Sequence, residues 1–500
     1  MAQDADIVLR LELRGGLPAN SVKPEEKGPV MSSVSALNSL LSSASGSSSI
    51  DLSSILEAAL GASSPGIDVT AAVNSAVTAA QQPEQAWQNQ ESTLQSQTSA
   101  LTQIQTDATN LDNDVQSLNS LTGPLSARTV TSSNSSVVTA SAASGSTPGN
   151  HVVVVNNLAT TASWTSGVFA NGSTALPAGS FTITAGSGAT ATVTTDGTQS
   201  LSDVATQING DNLGLTASVV TDATGSRLAI VASASGSAAN FTVSGSAGFG
   251  FTQAATGLNA SLTVDGINIS SASNTVSGAV PGLTFNLLSA DPGVDVSLGV
   301  APDTTQAASA INQFVTDYNK VIADLNSQFT FSGTSEGVLS TDSTIRNLQS
   351  EVLGALSYTY TPASGTTTVP NLSSLGISVN NDGTLTVDSS TLQSTLQNNF
   401  SDVQTFFQGT TLNGFANTLD QQLTSFISPS DGAFTVDLQS INNQITDLQT
   451  DITNFQTNYI QPLQTQLQSE YSQAEILLQQ LPNEMKQISA ELGQNSSSNG

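Results

Sequence analysis

The chain has 500 residues, with 9 Lys or Arg against 38 Asp or Glu, a formal net charge of −29, yet charged residues make up only 9% of it. Phosphate recognition needs clustered Lys and Arg, so nucleic acid and anionic membrane surfaces are excluded as partners. The lack of cysteine and the single histidine, His151, remove disulfides, thiolate metal sites and Cys nucleophiles, and leave little for acid–base chemistry. Polarity comes from Ser, Thr, Asn and Gln. No run reaches the roughly 20 apolar residues that would insert into a bilayer, and no basic stretch is followed by the apolar core of a signal peptide. The length suggests roughly three domains of about 150 residues. No cofactor is expected.

Residues 1–65 read as a variable, largely disordered extension. Arg10, Arg14, Lys23 and Lys27 precede Met31, so either translation begins at Met31 or a short basic extension is present. One weak helical segment, Ile50 to Leu60, follows a Ser-rich linker. Residues 66–124 form a helical segment with a heptad seam: Trp87, Leu94, Leu101, Ala108 and Val115 at one position, Ile104, Leu111 and Leu118 at the other. Pro83 predicts a break before Trp87, and Gly123-Pro124 ends the helix.

From Arg128 to about Gly299 the period changes to two. Short strands lie around Thr129–Thr131, Val137–Ala140, His151–Val155, Phe181–Thr184, Ala191–Thr194, Leu228–Val231, Phe241–Val243, Ser261–Val264, Ile267–Ile269 and Leu283–Leu287. Asp265-Gly266 predicts a hairpin turn, and Ser200 caps a short helix over Leu201–Ile208. Residues 125–164 with 257–300 read as one β domain, and 165–256 as an outer β domain inserted into it. A C-terminal helical and hairpin domain, 301–430, contains helices over Thr304–Gln328, Ser343–Leu356, Ser389–Leu396, Val403–Phe407 and Leu412–Ile427. Within it a hairpin turns at Asp382-Gly383.

Residues 431–500 carry the second seam and a tail expected to be disordered. Leu438, Ile441, Ile445, Leu448, Ile452, Phe455 and Tyr459 alternate steps of three and four, a narrow apolar stripe that cannot be buried alone. Pro462 predicts a kink or break. The stripe resumes at Leu463, Leu467, Tyr471, Ala474, Leu477 and Leu481. The fold class is therefore α+β multidomain: terminal heptad helices form coiled-coil or bundle legs, with all-β domains inserted between them. The helical assembly interface is expected at Trp87, Leu94, Leu101, Ile104, Leu111 and Leu118, and at Leu438, Ile441, Ile445, Leu448, Ile452 and Phe455. The mate of the second seam within the chain is expected to be Trp87–Leu118. His151 reads as structural, Trp87 and Trp164 as packing residues, and Asp342 and Asp431 as cap and turn residues. Acidic residues show no paired spacing that suggests a general acid and base.

Several pieces, in order, resemble the bacterial flagellar filament cap (hook-associated protein 2) family. They are Pro65-Gly66-Ile67-Asp68-Val69; Leu125 to Ser133; Pro148 to Ala159; Phe314-Val315-Thr316-Asp317-Tyr318-Asn319; Leu339 to Arg346; Leu375-Gly376-Ile377; and Asp382-Gly383-Thr384-Leu385. Leu201 to Asn209, with Leu215–Val219 and Gly225–Leu228, resembles the flagellin-hook IN motif, named for the pair seen here as Ile208-Asn209. The chain departs from the family in the length before Gly66, in a second opening-like run at Ile50–Leu56, in Thr341 where the family has glycine, and in its scarcity of Lys and Arg.

The resemblance implies a non-enzymatic homo-oligomeric ring at the filament tip that retains exported flagellin and promotes its folding and insertion. It also implies contacts with flagellin and hook-associated junction proteins, an export chaperone, and export by the flagellar type III route without a cleaved signal. Two other readings stand beside it. One is a surface adhesin whose outer β domain binds host glycan or protein; the other is a different axial subunit of the flagellum.

Overall fold

The computed structural model describes residues 68–245, 248–330, 337–363, 365–411 and 413–495. The segment Ile50–Leu60 lies outside the described residues. Helix α1 spans Val69–Ala80 and α2 spans Gln82–Asn119. They are followed by α3 (Leu201–Gly210), α4 (Thr304–Phe329), α5 (Ser343–Ala355), α6 (Ser389–Asn398), α7 (Phe400–Gln408), α8 (Phe415–Ile427), α9 (Ala433–Phe455) and α10 (Gln461–Asn495). The break expected at Pro83 is one turn residue, Gln81, which separates α1 from α2. Pro83 then sits in the first turn of α2, where its missing N–H costs no intrahelical bond.

The described residues form two compact units, one from residues 68–95 and 442–495, the other from those within Ser96–Ile441. The first is a helical stalk. Glu84 meets Gln456 and Glu91 meets Gln449, so the N-terminal part of α2 runs antiparallel to the end of α9; α1 packs on α10. Pro462 does not break the stalk. A π-helical turn, Gln456–Ile460, precedes it and the helix continues as α10. The wider turn is where the backbone absorbs the missing N–H and the ring's clash with the preceding turn.

The second unit contains a helical body and two β domains. In the body, α4 buries Ile311, Phe314, Tyr318, Val321, Ile322 and Leu325, and α8 packs on α5 and α7. Phe415 stacks on Phe406 with centroids 5.5 Å apart and meets Phe314 edge-on at 5.8 Å. The motif Phe314 to Asn319 grips the hairpin Ile377–Val379/Leu385–Val387: the Tyr318 hydroxyl donates to the Gly383 carbonyl at 3.1 Å, and burial pushes that hydroxyl's pKa up.

The first β domain pairs two antiparallel sheets. The larger runs in the order Arg128–Ser132, Val296–Pro302, Gly149–Asn157, Ala260–Val264, Ile267–Ser271. The smaller runs Thr275–Ser277, Leu283–Leu287, Val138–Ala142. Val153, Val155, Leu262, Phe285 and Leu298 are among its core residues. Asp265 (φ 49°) and Gly266 (φ 82°) form the expected hairpin turn, a conformation that a two-residue loop between twisted strands requires. Arg128 fastens the entry from α2, donating to the carbonyls of Ser126, Ala127 and Ser146. Gly123, just before it, lies so near Ser117 that a Cβ would meet that carbonyl oxygen at 2.1 Å.

The outer β domain has a sheet ordered Thr252–Ala255, Ser163–Thr165, Gly225–Ala232, Leu215–Asp222 and a second sheet ordered Thr190–Thr195, Gly179–Thr184, Thr242–Ser244. Helix α3 packs between them through Leu201, Val204 and Ile208, capped by Ser200 and Asp203 in a reciprocal capping box. The strands at 163–165, 252–255, 275–277 and 296–302 gave no expectation from sequence. The first three are only three or four residues long, and Thr252–Ala255 is exposed throughout, so none of the three carries a readable alternation, whereas Val296–Pro302 does alternate, burying Val296, Leu298 and Val300.

Candidate functional site

Among the described residues, the geometry of the stalk seam rests on aromatics and amides. Trp87 meets Phe455 edge-to-face at 5.4 Å, and Phe455 stacks on Tyr459 at 5.2 Å. Glu84, 4% exposed, accepts hydrogen bonds through Oε1 from Gln88 at 2.9 Å and from Gln456 at 2.6 Å. One heptad on, Glu91 accepts from Gln95 on its own helix and Gln449 on the facing one. Each carboxylate thus serves as an acceptor shared by two amides, one per helix. Leu94 and Phe455 are buried; Trp87, Ile445, Leu448 and Ile452 are half-buried; farther along α10, Ile476 and Leu477 are more than half exposed.

The expected pairing of the second seam with Trp87–Leu118 needs correction. Residues of α2 up to Gln95 belong to the stalk unit, while Leu101, Ile104, Leu111 and Leu118 are 0–1% exposed in the core of the body. Their side chains are consumed within the chain because α4 and α8 lie against that part of α2. Leu438 is half-buried and Ile441 buried, both on the body side of α9. The C-terminal end of α2 is closed by Gln408, 3% exposed, whose amide donates to the carbonyls of Leu118 at 3.2 Å and Ser120 at 3.0 Å. These are carbonyls a helix end leaves without intrahelical partners.

Some acidic residues face one another in the body. Asp107 faces Asp324, Asp114 faces Asp317, and Asp112 faces Asp420. Partners some 200 to 300 positions apart show no local spacing, although Asp107/Asp114 and Asp317/Asp324 each repeat at a heptad, a signal that could have revealed them. His151 lies on the rim of the first β domain, its Nδ1 2.7 Å from Asp265 Oδ2, while Asp265 Oδ1 accepts from the Val152 N–H at 2.9 Å. Those two hydrogen bonds hold the Asp265 carboxyl below the usual range. Trp164 donates through Nε1 to the Phe241 carbonyl at 3.0 Å and packs in the outer domain. Asp342 caps α5 and Asp431 accepts from Ser428 and Ser430 in a turn.

Ile208 and Asn209 do different work. Ile208 is 1% exposed in the outer core, whereas the Asn209 amide bonds the backbone of Ala217. Three other asparagines repeat this device: Asn240 on Gly257, Asn274 on Ala159 and Asn319 on Leu385. In a chain nearly free of Lys and Arg, the side-chain amide is the available group that both donates and accepts.

Terminal helices pair in a stalk, and antiparallel β domains are inserted between them in sequence. Models of the flagellar hook-associated protein 2 N-terminus and C-terminus match residues 65–162 and 257–483, and a model of the flagellin hook IN motif matches 180–234. The chain belongs to the flagellar hook-associated protein 2 family, the filament caps, a structural family rather than an enzyme family. B-type flagellar hook-associated protein 2 of Pseudomonas aeruginosa is 28% identical over 370 residues, covering 66% of this chain and 74% of that protein. Flagellar hook-associated protein 2 of Aeromonas caviae is 29% identical over 310 residues, covering 57% of this chain and 65% of that protein. The D1-D2-D3 domains of the Escherichia coli flagellar cap protein share the fold, with a TM-score of 0.56 at 24% identity over 69% of this chain and 99% of that one.

Proposed function

We propose that this chain caps the flagellar filament as a homo-oligomeric ring, retaining exported flagellin at the tip and promoting its folding and polymerisation. The family match across both the N-terminal and C-terminal segments carries this reading. The stalk adds its physical side. Its contacts are amide–carboxylate hydrogen bonds, buried at Glu84, and a narrow apolar stripe; hydrogen bonds to a charged group are individually worth about 1.5–3 kcal/mol. A set of such contacts can be exchanged as new subunits enter beneath a moving cap.

The assembly interface is assigned to the stalk residues Trp87, Leu94, Ile445, Leu448, Ile452 and Phe455. Leu101, Ile104, Leu111 and Leu118 belong to the core of the body. Flagellin and like subunits are the partners at this surface. Hook-associated junction proteins, an export chaperone and export by the flagellar type III route complete the proposed setting. No helix among the described residues is long and apolar enough to cross a membrane. The match to the flagellin hook IN motif, residues 180–234, falls within the outer β domain, so a flagellar module is favoured there over an adhesin. Complementation of a strain lacking its own cap protein tests the proposal. Restored filaments with flagellin retained on the cell support it; monomeric flagellin in the medium at the level of the empty strain opposes it.

A further inference from the structure

The body contains like-charged rungs where opposite charges would be expected. Antiparallel packing of α2 on α4 sets Asp107 against Asp324 and Asp114 against Asp317, one heptad apart on both helices. A third rung, Asp112 with Asp420, joins α2 to α8. Several of the carboxylate oxygens have donors. Asp107 Oδ2 accepts from Gln103 at 2.6 Å, Asp317 accepts from Gln313 at 2.7 Å and Lys320 at 2.5 Å, and Gln116 bridges Asp112 and Asp420 at 2.8 and 2.9 Å. Three do not: Asp112 Oδ1, Asp114 Oδ2 and Asp324 Oδ2 are buried without a hydrogen-bond partner, one on each rung.

An ionised carboxylate can only accept, so two of them facing each other leave a buried lone pair unmatched and a repulsion uncompensated. A proton placed between them turns one partner into a donor and removes both costs. We propose that each rung holds one proton in the folded body and that the body loosens when these protons leave. The groups that face the first two rungs are Asp107 and Asp114 from α2 and Asp317, Lys320 and Asp324 from α4; Asp112 and Asp420 face one another on the third. One lysine cannot neutralise four carboxylates.

The ionisation follows the same geometry. Burial and the facing Asp420 push Asp112 up to about 7. Burial and Asp317 push Asp114 up to about 6, and burial and Asp107 do the same to Asp324. A carboxyl that keeps its proton longer in the fold than in the open chain stabilises fully below about pH 4. That contribution fades as pH rises through about 6 to 7, so the body is least stable on the alkaline side of neutrality.

The test is thermal unfolding of the full chain, followed by circular dichroism at about pH 5.5 and about pH 8, for the wild type and for D107N/D112N/D114N. Each asparagine supplies the missing donor to its partner. The triple variant is expected to melt at least about 4 °C above wild type at the higher pH and nearly with it at the lower. A control, D211N/D295N/E351Q, removes the same charge from exposed positions. Equal gains in the control, or a triple variant that gains nothing at the higher pH, overturns the proposal. If the triple variant does not fold, carboxyl carbon-13 titration of the wild type decides. One carboxyl per rung titrating above about pH 5.5 supports the rungs, and all titrating below about pH 5 contradicts them.

Discussion

The Asn209 side chain closes a two-hydrogen-bond ring on Ala217, donating to its carbonyl at 2.9 Å and accepting from its N–H at 2.8 Å. Ala217 lies on Leu215–Asp222, the edge strand of its sheet, so the amide occupies backbone groups that another strand could use. The polar half of the IN motif is thereby explained as an edge clamp, and its apolar half as core. Asn209→Ala is expected to destabilise the outer domain by about 1–3 kcal/mol, the cost of leaving such groups unmatched. Asn209→Asp should cost at least as much, because the carboxylate would face the Ala217 carbonyl. Denaturant unfolding followed by Trp164 fluorescence, in a Trp87→Phe background, checks this.

The passage between the two β domains is held by the same device at both crossings. Asn274 of the first domain bonds Ala159 at 2.7 and 3.0 Å on the way out, and Asn240 of the outer domain bonds Gly257 at 2.8 and 2.9 Å on the way back. Substituting both with alanine should leave each β core intact and loosen the joint. Small-angle scattering of the variant is expected to show a broader distance distribution, with faster amide exchange at Ala159 and Gly257.

Gln408 links α7 to the end of α2 with no charge involved. Gln408→Leu keeps much of the volume but strands the Leu118 carbonyl, while that of Ser120 keeps the Gly123 N–H. The body is expected to lose about 1–3 kcal/mol, read as a lower denaturation midpoint with an unchanged m-value.

Two classes of carboxyl respond to pH with opposite signs. Asp388, at the N-terminus of α6, is held down to about 2 by hydrogen bonds from Ser390 and Thr391. A carboxyl lowered in the fold stabilises above its open-chain value near pH 4 and loses that contribution as pH falls through about 2. Acidification to about pH 3 should therefore leave α6 in place while the rungs of the body are fully protonated. Asp388→Ala should remove the cap at neutral pH, raising amide exchange at Ser390 and Thr391.

Much of this was legible in the sequence. Residue spacing located α2, α4, α5 and α9, the Asp265-Gly266 and Asp382-Gly383 turns, and the Ser200 cap, because each rests on local chemistry. What was not legible depends on distant partners. Heptad spacing from Trp87 to Leu118 looks uniform, yet Leu94 lies in the stalk unit and Leu101 in the body, a division set by the helices lying alongside. Pro462 announced a kink or break; a π turn lies just upstream of it and the helix continues. The asparagine clamps and carboxyl rungs join residues far apart in the chain, and nothing local distinguishes Asn274 or Asp112 from a solvated neighbour.

The central claim is that the stalk seam is the working surface of a filament cap. The most direct measurement is complementation of a cap-deletion strain with wild type and with Ile445→Asn/Ile452→Asn, scoring filaments by electron microscopy and flagellin in the medium. The account predicts restored filaments with the wild type, and with the double variant lost tip assembly and flagellin in the medium while the purified variant keeps folded β domains. Filaments of normal length and number from the double variant would contradict it.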